Sequence, residues 1–465
     1  MSAPALADVI PPSARRTSMA ALLLSLFFAM ASNTMVLTGL PQIIRDLDGT
    51  PTDHTWIVMT SLLALAVTTP VWGRLRDRFD SKSLLSLSLV LYFAGSVGAG
   101  LASEPWLIIG CRVLIGAGAG GIVTLVQLIV TQITTPAERP RFFGAIGAVM
   151  SVAAVIAPAL GGVIVDLGGW RWTFFSTAPL ALIALAMVRR FVPRSPPPAT
   201  VRGAYDLAGT LLIAATALLT MIWVTMLLPG GLLSVPSIVA ASAVVALAAA
   251  VVVVERTAEA PLLPLRLFRD AAYARVLLGS VVAGVGAFGT SVYLAVYLQD
   301  VRGMSAGAAG LLLLPISAAT FAASLGAGRF VSRTGRDKPL LVAGMLAIAA
   351  GYLLLATIGL ETPLVVVVLG SLLAGAGVGA VTQQIIATGQ GLLAPGDLEV
   401  GSSVLLFGRS LATVICLSVF GLLVAQASAV SPGAEGYSEG VRTVFAVCLG
   451  LAVLGVLALA TLRRR

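Results

Sequence analysis

Charged residues and metal-binding residues are scarce in this chain of 465 residues. Only 11% of the residues are charged, against about a quarter in an ordinary soluble domain, and 58% are hydrophobic. Histidine occurs once, at His54, and the three cysteines, Cys111, Cys416 and Cys448, lie in apolar runs without a CxxC pair. This composition excludes an ordinary soluble protein, and the residue inventory is too small for a histidine- or cysteine-based metal centre. We therefore expect no metal and no other cofactor.

Acidic residues are missing from the middle of the apolar runs. All 20 Asp and Glu residues lie in connections or near the ends of runs, so the usual carboxylate carrier for a proton has no position at membrane depth. The sequence GxxxxGK[ST], which binds the phosphates of ATP, is also absent. These absences argue against ATP-driven transport and leave proton coupling without a carrier that the residues identify.

Long apolar runs dominate what is present. A mean hydropathy of +1.01 and 49 glycines are typical of a chain that crosses a bilayer many times. The runs are continuous rather than alternating, and a span needs about 20 apolar residues, so they predict helices. The predicted fold class is an all-α integral membrane protein with fourteen spans. The spans are expected at residues 18–40, 56–72, 83–102, 106–130, 142–165, 171–191, 206–228, 235–254, 275–298, 306–328, 339–359, 363–388, 402–425 and 441–462.

The basic residues predict the orientation in the membrane. Of the 29 Lys and Arg residues, 23 lie at the termini or in alternate connections, four lie in the opposite connections, and Arg112 and Arg409 lie inside apolar runs. Positively charged connections stay in the cytoplasm, so we expect both termini there and a location in the cell (plasma) inner membrane. The positive charge forms no continuous face, so nucleic-acid binding is not expected despite the net charge of +9.

An internal repeat predicts two halves. The stretch Gly73–Arg78 after the second span shares Gly, Arg and Arg at matching offsets with Gly328–Arg333 after the tenth, and the glycine triplet Gly116–Gly120 is similar to Gly375–Gly379. Two six-helix halves with two inserted helices are the economical interpretation. The expected boundaries are 1–17 for a cytoplasmic N-terminus, 18–192 for the first half, 193–204 for a cytoplasmic linker, 205–254 for the inserted helices, 255–274 for a cytoplasmic connection, 275–462 for the second half and 463–465 for the tail.

Three short motifs, in the loop after span two and in spans four and five, match a known pattern. Residues 73–82 read GRLRDRFDSK, similar to a G-x-L-x-D-R-x-G-R-K loop. Arg112 followed by the glycines of 116–120 is similar to a fourth-span motif, and Pro158 with Gly161 and Gly162 is similar to the fifth-span motif G-P-x-x-G-G. On these motifs the chain resembles the major facilitator superfamily, and within it the fourteen-spanner drug:proton antiporter family.

The resemblance implies a secondary active transporter rather than an enzyme. Such a protein exports small amphipathic molecules, including drugs and antibiotics, by alternating access, with the proton as coupling ion. Its expected partners are a small-molecule substrate and the lipid bilayer, and a monomer is expected. The residues expected to control its conformational change are Gly73, Asp77, Arg78, Pro158, Gly161 and Gly162.

Polar side chains at membrane depth are the candidates for the substrate or coupling site. A charge inside a span costs about 3 kcal/mol or more and normally faces a cavity or a partner. The candidates are Arg112, Ser32, Asn33, Gln127, Gln383 and Arg409. Bonding between helices, or to backbone carbonyls for the arginines, is the alternative role. Because the chain has two buried cations and no mid-span acid, we expect neutral or anionic substrates to be preferred over lipophilic cations.

Several departures from the family pattern keep other functions open. Span one reads ASNT at 31–34 where an acid is usual, and Asp80 and Ser81 replace Gly and Arg in the loop. Export of a metabolite, or facilitated transport, without proton coupling is therefore an alternative. A polytopic membrane enzyme, with its one possible cluster at His54 and the neighbouring acids, and a sensor that does not transport are alternatives from other classes.

Overall fold

The computed structural model describes residues 11–49, 51–76, 78–135, 137–195, 207–230, 234–257, 264–304, 306–394, 397–431 and 433–462. The first ten residues, most of the predicted linker, the predicted tail and Asp77 lie outside these ranges. The side chains of Asn33, His54 and Pro158 also lie outside the description, although their backbones belong to helices.

All regular structure in the described ranges is helical. One 3-10 turn covers Leu265–Arg269 and one π-turn covers Tyr297–Val301. The α-helices are α1 (Pro12–Asp46), α2 (Pro51–Leu75), α3 (Ser81–Gly100), α4 (Pro105–Ile133), α5 (Arg139–Gly168), α6 (Arg171–Phe175), α7 (Thr177–Phe191), α8 (Leu207–Gly230), α9 (Val235–Thr257), α10 (Ala271–Val296), α11 (Ala306–Thr334), α12 (Asp337–Leu355), α13 (Leu364–Thr382), α14 (Gln384–Leu392), α15 (Leu398–Val430) and α16 (Ala434–Ala460).

The predicted all-α membrane architecture is confirmed. Within the described part of the chain, 11 helical stretches are long and apolar enough to cross a bilayer. The predicted spans at 56–72, 142–165 and 206–228 are not among the 11, although they coincide with α2, α5 and α8, which have 25, 30 and 24 residues. The exact number of fourteen spans therefore stays a prediction.

Local sequence explains where several helices begin and end. Asp80 starts α3 because its side chain accepts a hydrogen bond from Ser83 N at 3.0 Å, and Asp270 does the same for α10 through Ala272 N at 2.8 Å. Gly169 ends α5 with a φ of 81°, a backbone conformation that side chains with a Cβ atom disfavour. These signals set the boundaries of helices whose interiors are mostly apolar.

Two predicted spans, 171–191 and 363–388, are interrupted. The first divides into α6 and α7, because Pro179 lacks an N–H and its ring clashes with the carbonyl of Phe175, where α6 ends. The second divides at Gln383 between α13 and α14. The Thr382 hydroxyl donates to the Val378 carbonyl oxygen at 2.7 Å, a back-bond that favours bending in a helix.

The helices group into two compact units. In the first unit, α4 packs against both α2 and α3, and α1 packs against α7. In the second unit, α13 packs against both α11 and α12, and α16 packs against α10 and α12. Helices α8 and α9, which coincide with the predicted inserted helices, pack against each other. The predicted domain boundaries stay a prediction. The units comprise Met1–Phe142, Val149–Gly203 and Ala394–Phe407 for the first, and Phe143–Ala148, Ala204–Leu393 and Gly408–Arg465 for the second.

Candidate functional site

A glycine face brings α4 into backbone contact with α2 and α3. A Cβ atom at Gly118 would lie 2.6 Å from the Ser88 carbonyl oxygen on α3. A Cβ atom at Gly120 would lie 2.8 Å from the Leu65 carbonyl oxygen on α2. Lipid supplies no hydrophobic drive between helices, so close contacts between small residues hold such helices together. The first unit is therefore built around α4.

The second unit repeats this contact with α13. A Cβ atom at Gly375 would lie 2.7 Å from the Ile316 carbonyl oxygen on α11, and one at Gly377 would lie 2.7 Å from Ile348 N on α12. The two glycine triplets that the sequence relates thus make equivalent contacts. Each unit places the polar side chains of its fourth span on a tightly packed helix.

Arg112 lies on α4 and is almost completely enclosed, with 1% of its surface exposed. Its Nε donates to the Ile57 carbonyl oxygen on α2 at 3.0 Å. Its Nη1 is buried without a hydrogen-bond partner among the described residues. The side chain therefore bridges α4 and the beginning of α2, and it leaves one buried donor unused.

A buried group of hydroxyls lies next to this arginine in the first unit. The Tyr92 hydroxyl donates to the Phe28 carbonyl oxygen at 3.3 Å and lies close to Ser32, Ser96 and Arg112. Within the described ranges, the buried hydroxyls of Ser32 and Ser96 have no hydrogen-bond partner of normal geometry. The sequence predicts Ser32 as a candidate but not Tyr92. The one indication of Tyr92 in the sequence is that a tyrosine stands in the middle of a predicted span.

Arg409 lies on α15 at the break between α13 and α14. Its Nη1 donates to the Thr382 carbonyl oxygen at 3.4 Å, and the Thr413 hydroxyl donates to the carbonyl of Arg409 at 2.8 Å. A Cβ atom at Gly284 on α10 would lie 3.0 Å from Arg409 Cδ, so this glycine makes room for the side chain. Three helical elements of the second unit thus converge on one arginine.

The glutamine candidates occupy separate places. Gln127 is fully buried on α4, and both of its amide atoms lack a hydrogen-bond partner among the residues described. It lies 15 residues from Arg112, which corresponds to about 22 Å along a helix, so the two do not form one site. Gln383 follows Thr382, whose carbonyl oxygen Arg409 contacts. Only 1% of the surface of Gln383 is exposed. The Asn33 side chain lies outside the description.

The loop motif after α2 is only partly described. Gly73 is buried near the end of α2, Arg78 is exposed, and Asp77 lies outside the described ranges. The expected role of Asp77 in the conformational change therefore stays a prediction. Although it is exposed, Arg78 takes part in at least one polar, electrostatic or ring interaction.

The fifth-span motif and the beginning of α5 differ in their packing. Gly161 is buried, whereas a Cβ atom at Gly162 would meet no atom of the described chain within 4 Å. At the other end of α5, the Ser324 hydroxyl of α11 donates to the Gly144 carbonyl oxygen at 3.0 Å. A Cβ atom at Gly144 would lie 2.6 Å from the Ser324 carbonyl oxygen. The close contact thus lies at the beginning of α5.

The loop between α2 and α3 also binds the chain that follows α7. Asp80 Oδ1 accepts a hydrogen bond from Ser195 N at 2.6 Å, while Oδ2 accepts from Ser83 N. Arg76, which is 97% buried, donates from Nη2 to the Ser195 hydroxyl at 3.1 Å. Because its two carboxylate oxygens have different partners, Asp80 starts α3 and also holds the first residues of the predicted linker. The sequence analysis noted Asp80 only as a departure from the family motif.

An ion pair joins α1 to the connection before α5. Arg15 Nη1 lies 2.9 Å from Glu138 Oε2, which also accepts hydrogen bonds from Thr135 N and its hydroxyl at 3.2 and 3.0 Å. The neighbouring Arg139 donates to the Thr131 carbonyl oxygen at 3.0 Å, and burial lowers the pKa of its guanidinium. An arginine side chain keeps its positive charge even when it is partly buried.

The pocket between α8 and α9 has few polar groups that a ligand could bind. This pocket has a volume of about 520 Å³, with Trp223 on α8 and an apolar face of α9 as its walls. The Trp223 Nε1 donates to the Ser237 hydroxyl at 3.1 Å, so its polar atom is already bound. Among the described residues, no group of three or more His, Cys, Asp and Glu side chains has metal-binding geometry.

Comparisons with known sequences point to one family. Residues 22–417 match the family described as the Major Facilitator Superfamily. An uncharacterized MFS-type transporter of Mycobacterium tuberculosis is 32% identical over 421 residues, which cover 89% of this chain and 60% of that protein. The chain thus spans about three fifths of that relative's length. The multidrug transporter protein MdtP of Bacillus subtilis is 27% identical over 88% of this chain and 75% of its own length.

A comparison with solved structures gives the same fold. The crystal structure of the human organic anion transporter MFSD10 aligns with a TM-score of 0.68, covering 97% of this chain and 100% of that chain. The sequence identity is 16%, so this likeness concerns the fold alone.

Proposed function

The chain belongs to the major facilitator superfamily, and on that premise we propose that it is a secondary active transporter that exports small amphipathic molecules by alternating access. The observation that carries the proposal is the equivalent packing of α4 and α13 on their glycine faces. Transporters built from repeats move one repeat against the other around a site near mid-membrane. A relative with an efflux name, the efflux pump dotC of Dothistroma septosporum, is 28% identical over 88% of this chain and supports export as the direction.

We also propose a subfamily, a membrane and an orientation for the chain. We place the chain in the fourteen-spanner drug:proton antiporter family, in the cell inner membrane, with both termini cytoplasmic. The 23-to-4 distribution of basic residues supports this orientation, and the positions of α8 and α9 along the chain support two spans beyond twelve. Reporter fusions after residues 202 and 465 should both report a cytoplasmic position, and an external signal at either one contradicts the orientation.

The substrate region that we propose comprises the polar residues at membrane depth in each unit. Arg112, Ser32, Asn33 and Gln127 belong to the first unit, and Gln383 and Arg409 belong to the second. Proton coupling follows from the resemblance. Facilitated transport without protons is the second candidate, and the position of all 20 acidic residues outside the middle of the spans favours it.

Reconstitution into liposomes tests the proposal. The purified protein is tested with an imposed pH gradient, and without one, against a panel of cationic, neutral and anionic amphipathic compounds. We expect saturable movement of at least one compound, absent from protein-free liposomes. Dependence on the pH gradient distinguishes proton coupling from facilitated transport. A protein that moves no compound favours the enzyme or sensor alternative.

A further inference from the structure

Arg409 carries a charge that no acidic side chain of the described residues compensates. It lies inside the apolar stretch Val400–Val430 of α15, where a charged side chain is costly without a partner. No carboxylate of the described chain forms an ion pair with its guanidinium. Its bond to the Thr382 carbonyl oxygen is 3.4 Å long, beyond the usual range for N–H···O bonds. A carbonyl dipole orients a guanidinium, but it does not neutralise the charge.

The helix break explains why this carbonyl is available. Thr382 is the last residue of α13, and the carbonyls at a helix end have no partner within their own helix. A cation near the C-terminus of a helix is favoured by the helix dipole. Arg409 is therefore held at the break by a weak contact that a stronger acceptor can replace.

Neighbouring residues keep the Arg409 side chain in place without binding its charge. Gly284 lies against the methylene stem, where a Cβ atom would come within 3.0 Å of Cδ. The Thr413 hydroxyl bonds to the backbone of Arg409 rather than to its guanidinium. Most of the donor capacity of the guanidinium, which has five N–H groups, is thus available to a ligand.

Accessibility distinguishes Arg409 from the other arginine inside a span. Arg409 keeps 8% of its surface exposed, whereas Arg112 keeps 1% and donates to Ile57 O at a normal 3.0 Å. An enclosed arginine can brace two helices, but a ligand cannot reach it unless the packing opens. The remaining exposed surface of Arg409 is where we expect a ligand oxygen to make contact.

We propose that Arg409 forms an anion subsite whose ligand is the carboxylate of an amphipathic organic acid. This inference rests on the proposed transport function and narrows its substrate class. The planar guanidinium donates two parallel hydrogen bonds to a carboxylate, which replace the long bond to Thr382. The same charge disfavours lipophilic cations. Arg112 then supports the proposed substrate region by bracing α4 against α2, whereas Arg409 contacts the carboxylate.

A binding measurement tests the subsite separately from transport. The full-length protein is purified in detergent, and dissociation constants are measured by fluorescence for dansylglycine and for its uncharged methyl ester. We expect Arg409→Gln to weaken dansylglycine binding at least about tenfold and ester binding less than about twofold, because the charged pair is lost. Arg409→Lys should keep part of the preference for the acid, since it keeps the charge.

Two further variants separate recognition from structural support. Gly284→Ala should weaken binding of the acid more than that of the ester, because the added Cβ displaces the Arg409 stem. Arg112→Gln should change both dissociation constants by the same factor. The inference is overturned if Arg409→Gln binds dansylglycine as the wild type does, if it loses acid and ester equally, or if the wild type does not bind the acid. The liposome panel decides the proposed function separately, because a wild type that moves other compounds but does not bind dansylglycine is still a transporter.

Discussion

The two units share a packing plan but accommodate a buried arginine in different ways. In the first unit, α4 runs unbroken from Pro105 to Ile133, and Arg112 is enclosed and bonded to α2. In the second unit, the equivalent helix is broken at Gln383, and Arg409 contacts the carbonyl at the break. An unbroken helix satisfies its own backbone, whereas a break frees polar groups at membrane depth. The comparison teaches that the repeat determines helix packing but not how a buried charge is accommodated.

The largest effect is expected from filling the glycine faces, and it should be the same in both units. Gly118→Leu and Gly377→Leu each force a side chain against the backbone of a neighbouring helix. We expect each to cost at least about 3 kcal/mol and to abolish recovery of monodisperse protein in size-exclusion chromatography. Gly110→Leu on α4 and Gly391→Leu on α14 are matched controls, because a Cβ atom at either meets no described atom within 4 Å. Loss of folding in only one unit would show that the two helices are not equivalent.

The loops after the second span of each half should differ in importance. Asp77 carries a charge that can accept hydrogen bonds from a helix N-terminus, whereas the equivalent residue of the second half is Ser332. We expect Asp77→Ala to lower transport in liposomes at least about tenfold with normal membrane insertion, and Ser332→Ala to have little effect. Gly73→Leu should act as Asp77→Ala does. Normal transport by well-expressed Asp77→Ala protein would show that the first loop only determines the orientation in the membrane.

The contact between Asp80 and Ser195 should protect the chain after α7 from protease. Asp80→Ala removes the hydrogen bond from Ser195 N to a charged acceptor, which contributes about 1.5–3 kcal/mol, so trypsin should cut after Arg194 at least about tenfold faster. In the second unit, Asp337 Oδ2 accepts a hydrogen bond from the Thr388 hydroxyl at 3.2 Å and has no such role. Asp337→Ala should therefore leave this cleavage rate unchanged. Equal rates in wild type and Asp80→Ala would mean that the contact does not restrain the chain.

The smallest effect is expected from the ion pair between Arg15 and Glu138. The side chains are 18% and 43% exposed, so solvent screens much of their attraction. We expect Arg15→Ala to lower stability by less than about 1 kcal/mol, and less still at high salt. Arg16→Ala, at the exposed neighbouring position, is the control, and thermal unfolding in detergent is the measurement. A larger loss would indicate that the pair has a role beyond its surface charge.

Apolar run length was sufficient to predict the helical membrane architecture. Backbone groups in lipid must be satisfied within a helix, so the sequence of a span needs little tertiary information. The motifs at Arg112 and Pro158 predicted the superfamily, which the sequence comparisons confirm. The number of spans and the orientation stay predictions.

The features that the sequence did not predict depend on contacts between distant residues. The break at Gln383 contains no proline, and it is accompanied by the back-bond of Thr382 and by a bond from Arg409, 27 residues further along. The contact of Asp80 with Ser195 joins residues 115 positions apart. Of the candidate site, the sequence found both arginines but not the difference in their accessibility, because exposure is a property of the packed structure.

Counterflow in liposomes tests alternating access, the central claim, most directly. Liposomes that contain the wild-type protein are loaded with the unlabelled panel compound that it moves fastest, and are then diluted into a trace of the labelled compound without a pH gradient. A carrier exchanges one molecule for another through a site open to one side at a time. The account predicts that label accumulates transiently above its equilibrium level, saturably and only with protein present. A monotonic rise at the rate of protein-free liposomes would contradict the account.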